Sequence, residues 1–232
     1  MADKQTVKKR LFADERMRNA ARAVFHFAMA AVLAQAKILS SCAPFGVAYA
    51  AACCSFGSGF CAVIGTFVGY LLGYPGAEGV KYAGASLIVM TAATVFSGVG
   101  LLERRWFLPV AAGASVGVTG FLFLTGANFS AQAVAQFLLE MALCGGAAYF
   151  YLAAYSRRIV AQNLRFGGIM VLVSSLLIVL QPFMLWNLFS PGRILALLTV
   201  MGVAYLNGFS YGAAQGAGMG MAMDAAANAG WL

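Results

Sequence analysis

The chain has 232 residues, 62% of them hydrophobic and only 9% charged, with a formal net charge of +8. A soluble domain of ordinary composition carries about one quarter charged residues and has no interior for this much apolar surface, so a water-soluble globule is excluded and lipid is the expected solvent. The positive excess would point to nucleic acid in a soluble protein, but here it lies before and between apolar runs, where basic residues orient membrane helices, and no nucleic-acid partner is expected.

Residues 1–21 form a basic cytoplasmic tail with helical propensity, and seven of the fifteen basic residues, Lys4 through Arg22, precede the first apolar run at about 22–41. Residues 22–232 then read as one transmembrane helical domain. Pro44 should break or restart a helix. A short run at about 44–56 follows it, Gly57-Ser58-Gly59 punctuates that run, and a third covers about 59–74. The polar link Tyr74 to Lys81 leads to runs at about 82–101, 107–125, 131–155 and 167–188. After Ser190-Pro191-Gly192-Arg193 comes an eighth run, about 194–209, and then a glycine- and alanine-rich stretch from Tyr211 to Leu232. At roughly 20 apolar residues per crossing, this is an all-α, polytopic transmembrane bundle of about eight spans.

Charge sets its orientation. With the tail in the cytoplasm and two crossings between Pro44 and Tyr74, Glu103-Arg104-Arg105 and the link from Ser156 to Arg165 both fall inside. The uncharged link 126–130 falls outside, as the positive-inside rule requires. Merging 44–74 into one crossing would reverse both arginine pairs. The short 44–56 segment is either a tilted crossing or re-entrant. The expected location is a bacterial cytoplasmic membrane, multi-pass, with the N-terminus cytoplasmic and no cleavable signal peptide.

Gly65, Gly69 and Gly73 share a helix face, as do Gly113 with Gly117, and Gly212, Gly216 and Gly220. Small residues at this spacing let helix backbones approach closely in lipid, either within one bundle or between protomers. Lys37, Glu140, Asn207 and Asp224 are the intramembrane polar groups. A charge at bilayer depth needs a partner, a proton or water. Lys37 is placed to snorkel, and Glu140 or Asp224 could pair with it. Pro182, in the Gln181–Asn187 region, marks either a kink lining a path or plain packing. Cys42, Cys53, Cys54, Cys61 and Cys144 form no CxxC pair, and His26 is the single histidine, so the thiols read as small buried hydrophobes. No hydrolase, metalloprotease or nucleotide-binding motif is present. No catalytic residue, metal or cofactor is expected.

The segment from Lys37 to Ala52, with Pro44-Phe45-Gly46 at its centre, resembles the start of the membrane region of the stage II sporulation protein E family. The Gly65-to-Gly73 helix and the run from Gly212 to Gly220 fit the same pattern, so the resemblance covers most of residues 20–230. It implies a multi-span region followed by a linker that promotes oligomerisation and contacts the division tubulin homologue. A manganese-dependent protein serine phosphatase comes last and releases a forespore sigma factor. This chain contains no counterpart of the phosphatase or its metal-binding aspartates, and Lys37 stands where the family has arginine. The implied role is a membrane anchor and assembly domain at the septal membrane during sporulation. Its partners would be the bilayer, further copies of itself, and cell-division or sporulation proteins. The alternative is a small-solute transporter or channel component, with Glu140, Asn207 and Asp224 lining a midplane cavity.

Overall fold

The computed structural model describes residues 2–38, 42–74, 76–126, 129–155, 162–183 and 190–227, without the side chains of residues 2–14 and Glu103. Among these residues there are nine α-helices: α1 (Ala2–Leu33), α2 (Phe45–Cys54), α3 (Gly59–Gly73), α4 (Ala77–Val95), α5 (Phe107–Gly126), α6 (Ala131–Tyr155), α7 (Gln162–Leu180), α8 (Pro191–Asn207) and α9 (Phe209–Ala227). Two 3-10 turns cover Phe96–Val99 and Leu101–Glu103. The fold is all-helical, as composition required.

Among the described residues four helices are long and apolar enough to cross a membrane: α4 with the turn that extends it to Val99, α5, α6 and α7. The expected eight spans are not supported. The apolar helices α2, α3 and α8 have only 10, 15 and 17 residues, against the roughly 20 that a crossing needs. Helix α9 is long enough but diluted by glycine, serine, glutamine and aspartate. Helix α1 passes through residue 21 without a break and stops at Leu33, well before the expected end at 41.

Helices that follow one another run in opposite directions. Gly46 abuts Ala34 at one end of the α1–α2 pair, while Cys53 meets His26 at the other. Gly113 faces Met141 and Gly145, and Gly120 faces Phe137, which makes α5 and α6 antiparallel; Gly168 against Ala154 and Gly212 against Ala204 do the same for α6–α7 and α8–α9. Alternation therefore makes α1 and α3 parallel, and their contacts agree: Gly65 lies on Phe27, Gly69 on Ala31 and Gly73 on Gln35. A Cβ at Gly69 would sit 2.6 Å from the Ala31 carbonyl oxygen, and one at Gly65 would overlap the Phe27 carbonyl. Only glycine permits this approach. The first glycine stripe is thus filled within the chain.

Helix α2 packs antiparallel against this directly touching pair. Its sequence, FGVAYAAACC, is apolar on every side, as a helix buried all round must be. Every residue from Phe45 to Cys53 is buried, and α2 touches α1, α3, α4, α5 and α6. The main core surrounds it, with Tyr49, Tyr70, Tyr82 and Tyr151 its largest fully buried side chains. A smaller cluster of Leu177, Ala196, Met219 and Met223 seats the α8–α9 hairpin on α7.

Candidate functional site

Pro44 and the buried start of α2 pose a backbone problem. Ala34, Ala36, Ile38 and Cys42 to Pro44 are buried outside the helices, and their backbone polar groups need partners there. Ile38 and Cys42 exchange two backbone hydrogen bonds of 2.8 and 3.0 Å, closing a turn. Residues 39–41, which fall in the segment that carries the family resemblance, lie outside the described residues. Side-chain hydroxyls do the rest. Tyr70 on α3 accepts a hydrogen bond from the Val47 amide at 3.3 Å and donates to the Ala43 carbonyl. Tyr82 on α4 accepts from the Ala43 amide at 3.1 Å. Thr66, bonded to the Ala62 carbonyl at 2.9 Å, also faces the Gly46 carbonyl at 3.3 Å. Pro44, Phe45 and Gly46 are all buried within this frame.

The Tyr82 hydroxyl in turn donates to Glu140 Oε1 at 3.0 Å, and the other carboxylate oxygen of Glu140 takes an ion pair from Lys81. The Lys81 ammonium also lies 4.9 Å from the Tyr82 ring centre and 5.9 Å from that of Phe123. One relay therefore joins the backbone at Ala43, through Tyr82 and Glu140, to the partly buried Lys81 ammonium. Beside it, between α4, α5 and α6, is a cavity of about 250 Å³. Glu140 is at its buried inner side, while Glu78 and Phe123 are exposed at its mouth.

The expected pairings are corrected here. Neither Glu140 nor Asp224 pairs with Lys37; the partner of Glu140 is Lys81. Lys37 is exposed and stacks over the Tyr74 ring at 4.1 Å, the snorkelling arrangement. The sequence places Lys81 in a polar link, whereas α4 begins at Ala77 and puts it in the second turn. The signal was available: Gly76, at φ +109°, ends the turn, and Glu78 in the first helical turn suits a helix N-terminus. Glu78, Lys81 and Tyr82 then share a face at spacings of three and four.

Glu140, Asn207 and Asp224 do not line a common space. Asn207 ends α8 at the hairpin turn and Asp224 lies 17 positions further on, about 25 Å along α9; both are exposed. Of the other glycines, Gly113 and Gly117 lie against Met141 of α6, Gly212 and Gly216 against Ala204 and Val200 of α8, and Gly220 meets open space. Helix α7 ends at Leu180, so Pro182 follows the helix instead of kinking it, and 184–189 lies outside the described residues.

A second polar cluster closes the opposite end of α2. The Tyr49 hydroxyl lies 2.8 Å from His26 Nδ1 and 3.3 Å from the Tyr155 hydroxyl, with Cys53 Sγ 3.5 Å from the same nitrogen. Among the described residues no three His, Cys, Asp or Glu side chains are placed to hold a metal, and Cys53, Cys54, Cys61 and Cys144 are free thiols. No family model, curated protein or solved structure matches the chain.

Proposed function

We propose that the chain is a membrane anchor and assembly region of the type found in the stage II sporulation protein E family, and that it carries no chemistry of its own. The observation that carries this reading is the position of Pro44-Phe45-Gly46. These residues, the centre of the resemblance, open the helix around which the main core is built. A likeness at such residues concerns how the bundle is assembled, which surface coincidence would not.

Charge supports a cytoplasmic N-terminus. Among the described residues, Lys37, Lys81 and Arg193 belong to segments at the end away from the tail, whereas Arg104 and Arg105 join α4 to α5 at the tail end and Arg165 lies in the first turn of α7 there. The three polar groups that a transporter would gather around a midplane cavity are dispersed, which favours the anchor reading over it.

Clustering in this reading uses surface that the bundle leaves open. Gly65, Gly69 and Gly73 are occupied by α1, whereas Gly218 and Gly220 on α9 meet no neighbour. The test is a fluorescent fusion of the chain in a spore-forming bacterium, imaged at asymmetric division. Concentration at the polar septum is expected. An even signal over the whole cell membrane overturns the reading.

A further inference from the structure

We propose that the cavity between α4, α5 and α6 binds a primary ammonium group carried by a small, partly apolar molecule. Three charged side chains line it: Glu78, Lys81 and Glu140. Lys81 is committed to Glu140, so the lining carries one excess negative charge, on Glu78 at the mouth.

Hydrogen-bonding capacity points the same way. A carboxylate has about four acceptor positions, and among the described residues Glu140 uses one on each oxygen, for Lys81 and for Tyr82. Acceptors are in surplus. An anion would have to draw Lys81 away from Glu140 and leave a buried carboxylate without its counter-ion. A cation simply adds to Glu78 and to the remaining lone pairs of Glu140.

The walls fit a cation with an apolar body. Phe123, Phe137 and Gln136 are among the lining residues; aromatic rings attract ammonium groups, and a glutamine amide can hydrogen-bond one. A space of about 250 Å³ is at the small end of ligand pockets. The ammonium could arrive on a free amine or on the headgroup of an aminophospholipid, and the chemistry of capture is the same.

The experiment uses the purified full chain in detergent. Benzylammonium chloride is titrated by calorimetry and thermal unfolding, with sodium benzoate at equal ionic strength as the charge-reversed analogue. Short-chain phosphatidylethanolamine and phosphatidylcholine are titrated alongside. Saturable binding of benzylammonium and none of benzoate are expected. Glu78→Gln should weaken binding roughly tenfold, a loss read against the variant's own ligand-free unfolding midpoint, which the lost charge at the start of α4 should lower only slightly. Gln136→Ala provides a second variant that spares the ion pair, and it should weaken binding too. Competition by the ethanolamine lipid alone identifies a lipid source, and its absence a free amine. The proposal is overturned if neither ammonium probe saturates, if benzoate binds equally well, or if Glu78→Gln leaves the affinity unchanged.

Discussion

Lys81 on α4 and Glu140 on α6 form an ion pair inside the bundle, with side chains 12% and 5% exposed. Such a pair is poor evidence of net stabilisation, because two ions have been taken from water to make it. It is strong evidence of mutual dependence. Lys81→Met should destabilise the protein by roughly 3–5 kcal/mol, since it leaves the Glu140 carboxylate buried without a counter-ion. Adding Glu140→Gln, which keeps an acceptor for Tyr82, should recover most of that loss. Denaturant unfolding of the two single variants and the double variant checks this, and strictly additive effects would sink it.

The α1–α3 contact gives a sharper contrast. Gly65→Ala puts a methyl group into the Phe27 carbonyl and should destabilise by roughly 1–3 kcal/mol or more. Gly220→Ala meets nothing and should be neutral or slightly stabilising, because alanine favours the helix. Thermal unfolding of both variants in one detergent compares them. Equal midpoints would mean that α1 and α3 do not touch along this stripe.

Tyr70→Phe removes one oxygen but strands two backbone groups, the Val47 amide and the Ala43 carbonyl. Each stranded buried group costs about 1–3 kcal/mol. Tyr205→Phe is the control, since Tyr205 is 90% exposed and should show no change. Hydrogen exchange at the amide of Val47 offers a local readout and should speed up in Tyr70→Phe alone.

Orientation is checked by labelling. In a background with the five native cysteines changed to alanine, Arg104→Cys should react with a membrane-impermeant maleimide only after the cytoplasmic face is opened. Gln132→Cys, at the start of α6, should react in intact cells. The reverse pattern would invert the proposed topology.

The sequence made some of this plain and hid the rest for identifiable reasons. Long apolar runs mark α4 to α7 well, because length and polar links are enough to define them. Pro44 announces the restart at α2, and the four-residue spacing of Gly65, Gly69 and Gly73 announces a close helix neighbour. The neighbour's identity is a tertiary fact, set by the parallel course of α1 and α3. Span count failed for the same reason: apolar character says that a segment avoids water, but lipid and protein satisfy it equally, and α2 is enclosed by protein. Lys81 was lost because a charge five residues after Pro-Gly reads as a link until the helix start at Ala77 is placed. His26 shows no signal at all, as its hydroxyl and thiol neighbours come from α2 and α6.

The burial of α2 also governs how the protein can be made. Ten residues of helix extend about 15 Å, half the hydrocarbon thickness, too short to be held across a bilayer by its own hydrophobicity. The chain reverses there within a sheath of its own later helices. As translation proceeds, α2 emerges before α3, α4, α5 and α6, four of the five helices that enclose it. A ribosome that has delivered α1 to α3 has therefore produced only a provisional arrangement. The first point at which this part of the protein can become permanent is the completion of α6, and any fragment ending earlier leaves its centre without walls.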